Sequence, residues 1–456
     1  MYRTLFCLDS DSISGGIKLC REIMQALQND GQEVAYLVWN SRRRFEGWNN
    51  LPVERIERIE DIAAKNFDFV VFSNAYLAPL ILPFVGNAHP VLYYMAHESY
   101  HYGSTYAECM TESEAFLNIL RLPISIVSIS EALRTILMSK TGRHSYYIPV
   151  GPDKKFFTPR PPKDRSASRK RILLVGDYNL NWKGMQDALT AVEMLSHDVN
   201  VELVLITQGR HGRKIFDHYE FPIEINYQPP LAAIPDIYAS CHVYCCSSWH
   251  EGLGLAALEA FSCGVPAVCT RNHGVDDYGV DNESVLLAEP NNPQDLCNKL
   301  KVILTDEVLS SKLRKNAFDQ AKRYEPGKVL QAWKEAQQQI LSEPLAVVEA
   351  AEMNQLLTAL EEEGMYTPLV TLDALQNLNS AIDSICDDLL NQRLQADQGI
   401  ERLSAIRNEL KQYTQNTNTQ YFKSFKAGYD LCQLLIAFKD APDFLKCVST
   451  LSARNK

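Results

Sequence analysis

Apolar and polar positions follow two recurring rhythms along this chain. Over the first 150 residues, short apolar runs at 2–8, 33–38, 67–73, 91–95 and 124–128 alternate with stretches of helical repeat at 16–29, 61–65 and 131–140. Nearly continuous runs of Val, Ile, Leu and Phe, spaced by helices, predict a parallel sheet covered on both faces. The rhythm then breaks. Pro149, Pro152, Pro159, Pro161 and Pro162 fall within a polar stretch that ends at Lys170, which predicts a linker over 151–170. A second alternation begins with a strand at 171–175. It continues through a helix at 184–195, strands at 201–206 and 224–227, a helix at 234–240 and a strand at 242–246. A helix opening at Leu255, a strand at 267–270 and helices at 293–305 and 329–341 complete it. The expected class is α/β: two Rossmann-like doubly wound domains, 1–150 and 171–343, facing across a cleft. Such sheets bind ligands at the carboxyl ends of their strands.

Residues 344–456 change character, with few strand signals, few glycines and many Leu, Gln, Asn and Glu. Leu375, Leu378, Ile382, Ile385 and Leu389 recur at alternating spacings of three and four, and Ile400, Leu403, Ile406 and Leu410 continue the stripe. An all-helical extension is expected. Its stripes either pack against the extension itself or the core, or form a coiled-coil-like contact between copies, giving a homo-oligomer. Tyr421, Phe422, Phe425 and Tyr429 are expected in the bundle core.

Composition narrows the classes. At 456 residues the chain exceeds one ordinary core, and 46% hydrophobic residues with both charge signs dispersed read as globular and soluble. No apolar run reaches the roughly 18–20 residues that span a bilayer, and the N-terminus has no signal-cleavage pattern. A net charge of -11 argues against nucleic acid as a partner. Twelve cysteines include no CxxC pair, and Cys241, Cys245 and Cys246 lie on an apolar strand-like stretch. Metal-ligand spacing is absent, so reduced buried thiols, no metal and a cytoplasmic location are expected. The arginine cluster at 41–45 reads either as a solvated loop or as an acceptor or headgroup contact at a membrane surface.

The chemistry concentrates in SSWHEGLGLAALEAFSCGVP, residues 247–266. Glu251 ends a loop, a Gly252-Leu253-Gly254 turn follows, and Leu255 opens a helix that carries Glu259. A helix N-terminus has unpaired N–H groups and partial positive charge, and glycines let a phosphate approach them closely. The flanking glutamates can accept hydrogen bonds from hydroxyls. An anion cradle between two hydroxyl acceptors suits a nucleotide-sugar. Lys183-Gly184 follows the strand at 171–175, where a lysine can reach the cleft and offset a diphosphate. Ser14-Gly15-Gly16 lies between the first strand and helix, either as a simple turn or as a point of close ligand approach. It is not GxGxxG, which removes support for a dehydrogenase. His97-Glu98 ends the strand at 91–95; His97 reads as a sugar contact or as a structural cap, with His101 close enough to confuse the assignment.

With these residues in order, residues 1 to about 343 resemble a family 4 glycosyltransferase of the GT-B fold. The element Glu251-x7-Glu259 and its continuation AFSCGVPAVCT are the strongest part. VSISEAL at 127–133, IPVGPD at 148–153, the loop Ser14–Gly16, Lys183-Gly184 and the segment ending at Trp333 are also similar. The resemblance implies sugar transfer from a nucleotide-diphosphate sugar as co-substrate, with retention and without a metal or other cofactor. It implies that Glu251 contacts the donor sugar and stabilises its developing positive charge, and that the amides of Gly252, Leu253, Gly254 and Leu255 hold sugar or phosphates. Glu259 would bind the ribose, Lys183 would offset the leaving diphosphate, Gly15 and Gly16 would lie near that diphosphate, and His97 near the sugar. The acceptor would be a glycan, a lipid-linked saccharide or another hydroxyl. One departure stands out: Asp177 occupies the place where relatives commonly carry arginine, so either Asp177 turns away and Arg210 substitutes, or donor binding is unusual, or activity is lost. Alternatives on the same architecture are a nucleotide-sugar epimerase, a phosphorylase or a non-catalytic scaffold.

Overall fold

The computed structural model describes residues 2–9, 14–39, 53–160, 169–208, 216–324, 327–345, 348–363, 365, 381–382, 384–386, 388–389, 391 and 395–414. The chain divides into two compact units, Met1–Asn354 and Gln355–Lys456. The first unit contains two parallel sheets.

The first sheet uses β1 (Arg3–Leu8), β2 (Glu33–Val38), β3 (Glu54–Arg55), β4 (Phe69–Phe72), β5 (His89–Tyr94), β6 (Ser125–Ser128) and β7 (Tyr146–Tyr147), in the order β3-β2-β1-β4-β5-β6-β7. Its helices are α1 (Gly15–Asn29), α2 (Leu77–Ile81), α3 (Tyr106–Cys109), α4 (Glu114–Arg121) and α5 (Glu131–Thr141). The stretch expected as a helix at 61–65 forms two short 3-10 turns, Ile59–Asp61 and Ala63–Lys65, and Asn66 then takes a left-handed φ of 50° that stops further winding. The amphipathic α4, capped by the Ser113 hydroxyl, goes beyond the sequence expectation.

The second sheet comprises β8 (Lys170–Val175), β9 (Val201–Thr207), β10 (Ile223–Tyr227), β11 (Val243–Cys246), β12 (Ala267–Thr270) and β13 (Leu286–Ala288), ordered β10-β9-β8-β11-β12-β13. It is flanked by α6 (Met185–Ser196), α7 (Ile234–Ala239), α8 (Leu255–Ser262), α9 (Pro293–Thr305) and α10 (Glu307–Ala321). Every pairing in both sheets is parallel, as the unbroken apolar runs require of strands buried on two faces. The strand order reverses direction beside β1 and beside β8, and those switch points open crevices at the carboxyl edges.

The helix α11 (Gly327–Ile340), expected at the end of the second half, lies instead on the first sheet. Trp333 stacks on Phe6 at 5.9 Å and meets Tyr93 edge-on at 5.3 Å, while Gln337 donates to Thr4 and exchanges hydrogen bonds with Gln32. A burial stripe of Trp333, Ala336, Gln337 and Ile340 fits any apolar sheet face, so periodicity alone could not say which sheet receives it. The chain therefore crosses between the sheets twice. The crossings touch: a Cβ added to Gly151 would stand 2.8 Å from the Tyr324 carbonyl oxygen.

Later in the sequence come α12 (Ala350–Glu362) and α13 (Ala396–Thr414). Ile382, Ile385, Leu389 and Leu403 of the expected stripes are buried. Leu375, Leu378, Tyr421, Phe422, Phe425 and Tyr429 lie outside the described residues, as do the cluster at 41–45 and Arg210. The cysteines that are described are free and buried, including Cys241, Cys245 and Cys246. Among the described residues, no helix is long and apolar enough to cross a membrane.

Candidate active site

The crevice forms where the carboxyl ends of β1, β5 and β6 meet those of β8, β11 and β12. Its geometry begins with tight turns. Gly184 adopts φ +57° at the start of α6, and a Cβ there would stand 2.1 Å from the Ser247 carbonyl oxygen. Only glycine allows that approach. The contact is fixed by Ser247 Oγ donating to the Lys183 carbonyl (2.9 Å) and by Trp249 N–H donating to the Trp182 carbonyl (2.7 Å). Lys183 consequently meets Glu251, with Nζ 2.7 Å from Oε1. Ser248 Oγ donates to the same carboxylate oxygen at 2.6 Å, and Nζ also sits 4.1 Å from the Trp182 ring centroid. Two residues 68 positions apart thus converge on one point, each side chain mostly buried.

Gly254 caps α8 in a left-handed conformation, φ +78°, with Leu255 as the first helical residue. Leu253 is buried. Gly252 carries the closest approach in the crevice: a Cβ there would lie 1.8 Å from the Met95 carbonyl oxygen, on the other sheet's edge. Ser130 Oγ donates to the Gly252 carbonyl at 2.6 Å, and Asp277 accepts from the Glu131 and Ala132 N–H groups, each at 2.8 Å. One turn along α8, Glu259 accepts from Tyr238 OH (3.1 Å) and from Lys18 Nζ (3.1 Å), which reaches it from α1. Ser14 caps α1 through its hydroxyl, so Gly15 and Gly16 form the first turn. Gly16 faces Met95, and Gly15 has open space where a Cβ would stand.

His97 lies buried in the loop after β5, with its ring held by neighbouring side chains. Its side chain is 0% exposed, Nε2 lies 2.6 Å from Glu112 Oε1, and Nδ1 pairs with the Tyr94 hydroxyl. Both ring nitrogens are engaged, so the ring offers none to a sugar; it fixes the loop after β5, whose His97 N–H donates to His250 Nε2 across the crevice (3.2 Å). Sequence reasoning also missed a histidine cluster here. His250 Nδ1 lies 3.1 Å from His273 Nδ1, and His101 stacks on Trp182 at 4.1 Å. Burial pushes the pKa of His101 down to about 3 and lowers those of His250 and His273, which keeps these rings neutral. Asp177 turns its carboxylate into its own loop, where Oδ1 accepts from Asn179 N–H at 2.9 Å. Among the described residues no group of three or more His, Cys, Asp or Glu is arranged to hold a metal ion.

Glu98, next to His97, is a buried acid that accepts from Ala75 N–H at 2.9 Å. Burial raises its pKa from 4.5 to about 8, and the nearby Asp9 charge adds to this. The folded state therefore prefers the protonated acid. Its contribution is fully present below pH 4.5 and is lost as pH rises towards 8, at about 1.4 kcal/mol per unit. Glu98→Gln keeps the acceptor for Ala75 and removes the titration. Thermal melts should show it stabilising at about pH 8.5 and nearly neutral at about pH 4.5. Equal effects at both pH values would mean that Glu98 does not titrate in this way.

Comparison with known proteins places the second sheet firmly. Residues 158–320 match the family described as Glycosyl transferases group 1. An MMP alpha-(1->4)-mannosyltransferase from Mycolicibacterium hassiacum is 29% identical over 175 residues, 37% of this chain and 41% of the relative. An N,N'-diacetylbacillosaminyl-diphospho-undecaprenol alpha-1,3-N-acetylgalactosaminyltransferase from Campylobacter jejuni is 27% identical over 173 residues, 38% of this chain and 45% of that one. The chain thus spans less than half the length of these curated relatives. The fold is shared more widely. HepE of Anabaena, solved with UDP and glucose, superposes with a TM-score of 0.60 at 17% identity, covering 74% of this chain and all of that one. Sucrose-phosphate synthase from Thermosynechococcus elongatus does so with 0.61 at 18% identity, covering 75% of this chain and all of its own.

Proposed function

We propose that the chain, whose residues 158–320 match the glycosyl transferases group 1 and whose two sheets share the GT-B fold, moves a sugar from a nucleotide-diphosphate sugar to a hydroxyl acceptor in the crevice between those sheets. The observation that carries this reading is the convergence of Lys183, Glu251 and the Gly252–Leu255 turn at the N-terminus of α8. Breaking the bond between an anomeric carbon and a diphosphate places negative charge on the leaving group. The Lys183 ammonium and the amides of Gly252 to Leu255 are fixed donors for it, and preorganised donors of this kind contribute several kcal/mol in a water-poor site. Glu251 faces the opposite charge, which develops on the sugar. Glu259 takes the ribose hydroxyls. Transfer proceeds with retention at the anomeric carbon, and lysine and amides serve the diphosphate without a metal.

The acceptor is a glycan or a lipid-linked saccharide. Support comes from the Campylobacter relative, whose name specifies a diphospho-undecaprenol acceptor, and contact with a membrane surface would accompany such a substrate. The test is incubation with UDP-, GDP- and ADP-sugars and a panel of glycan and polyprenyl-linked acceptors, with and without EDTA. Acceptor-dependent release of nucleoside diphosphate that EDTA leaves intact is expected, with product stereochemistry read by NMR. Donor conversion with no acceptor present would point to an epimerase, and no conversion of any donor would end the reading.

A further inference from the structure

The two carboxylates of the crevice are each held by a lysine, but the two pairs differ in kind. Lys183 and Glu251 both belong to the second half and meet through neighbouring turns. Lys18 comes from α1 of the first half and reaches Glu259 on α8 of the second. Its Nζ lies 5.3 Å from the centroid of the Phe157 ring and 4.0 Å from Glu22. The lysine is 27% exposed and Glu259 is 13% exposed. Burial alone would lower the pKa of this ammonium, yet the Glu259 and Glu22 carboxylates raise it, so it stays charged at neutral pH.

Position ties Lys18 to the phosphate end of the crevice as well. It sits three residues after Gly15, in the first turn of α1. That turn and the Gly252 turn share a neighbour. A Cβ on Gly16 would stand 3.2 Å from Met95 Cε, and one on Gly252 would stand 1.8 Å from Met95 O. The space beside Gly15 is open within 4 Å. A diphosphate entering there brings negative charge to a site that already holds Glu251, Glu259 and Glu22. Lys183 divides its charge between that diphosphate and Glu251, 2.7 Å away, and Asp177 turns its carboxylate into its own loop without adding positive charge. Ribose hydroxyls that donate to Glu259 satisfy that carboxylate and free the ammonium, and a four-carbon stem lets Nζ swing to a phosphate oxygen.

Resting on the donor reading above, we propose that Lys18 is a donor-binding residue supplied across the cleft. It pairs with Glu259 in the conformation seen here and turns to the donor's diphosphate once ribose hydroxyls occupy that carboxylate. The nucleotide thereby exchanges one partner of a cross-cleft ion pair for another, and the first half gains a charged contact with a ligand otherwise held by the second.

Calorimetric titration of the full chain with UDP, GDP and ADP, and with the matching monophosphates, tests this. Lys18→Met and Lys18→Gln should weaken the preferred diphosphate by about tenfold or more, because a charge-assisted contact to phosphate is lost. They should leave the monophosphate within about threefold, and Lys18→Arg should restore most of the diphosphate affinity. Retained monophosphate binding also shows that the variant is folded. If Lys18 merely orients Glu259, its loss will weaken mono- and diphosphate equally, as Glu259→Gln does, and the proposal falls. Unchanged or tighter diphosphate binding overturns it too. If the wild-type protein binds none of these nucleotides, the donor reading itself fails, and the assignment of Lys18 fails with it.

Discussion

Glu251→Ala and Lys183→Ala should each lower sugar transfer by about 10²–10³-fold, the loss typical of one preorganised electrostatic group. On the proposed reading the two act on opposite charges of one transition state, Lys183 on the leaving diphosphate and Glu251 on the sugar as it turns cationic. In the structure they neutralise each other across 2.7 Å, with 21% and 16% of their side chains exposed. Removing either strands its partner. In Lys183→Ala the carboxylate retains only the Ser248 hydroxyl among the side-chain partners described above, which adds a donor-binding defect to the catalytic one. The single effects should therefore not add: the double variant should be no more than about tenfold slower than the worse single one, since the groups share one network. Melting temperatures should fall in each single variant, which leaves one mostly buried charge unpaired, and fall less in the double variant, whose turn is still fixed by contacts of Gly184, Ser247 and Trp249. Transfer rates near wild type in both single variants would remove the site assignment.

The parts of this site that the sequence made legible share a physical cause. Strands buried on both faces must be apolar throughout, so β1, β5, β8 and β11 announced themselves. Glycines forced by a positive φ or by a close backbone approach, such as Gly184 and Gly254, mark turns wherever they occur. Legibility stops where direction and destination matter. The pairs Glu54–Arg55 and Tyr146–Tyr147 are too short to carry a period, and they exist as strands because β2 and β6 offer an edge to pair with. The apolar stripe of α11 states that it will be buried but not against which sheet. His97 stands at a strand end, as expected, yet the rotamer that sends its ring to Glu112 and Tyr94 depends on residues that only folding brings close. Lys18 looks like any polar residue of an amphipathic helix until α8 is placed opposite it. Trp182, Tyr238, His250 and His273 became part of the site for the same reason.

Gly252→Ala should be as damaging as loss of a charged group, although it changes no charge and no hydrogen-bonding atom. Its φ lies outside the left-handed range, so the argument is steric alone. The added methyl would stand 1.8 Å from the Met95 carbonyl oxygen, 2.8 Å from its carbon and 3.2 Å from Ala96 Cα. All three are backbone atoms, and no rotamer change relieves them. Either the turn moves, which shifts the amides proposed to hold the donor, or the two sheet edges separate and break the bonds from Ser130 to Gly252 and from His97 to His250. A displacement of about 1 Å at reacting groups costs on the order of 10²-fold in rate. Hydrogen–deuterium exchange should accordingly rise at residues 95–98 and 248–254 while the strands of both sheets keep their protection. Gly15→Ala is the matched control: open space surrounds its Cβ position, so exchange in these segments should stay at the wild-type level. Should Gly252→Ala transfer sugar at the wild-type rate with unaltered exchange, the close approach of Met95 to this turn would have no part in the working conformation.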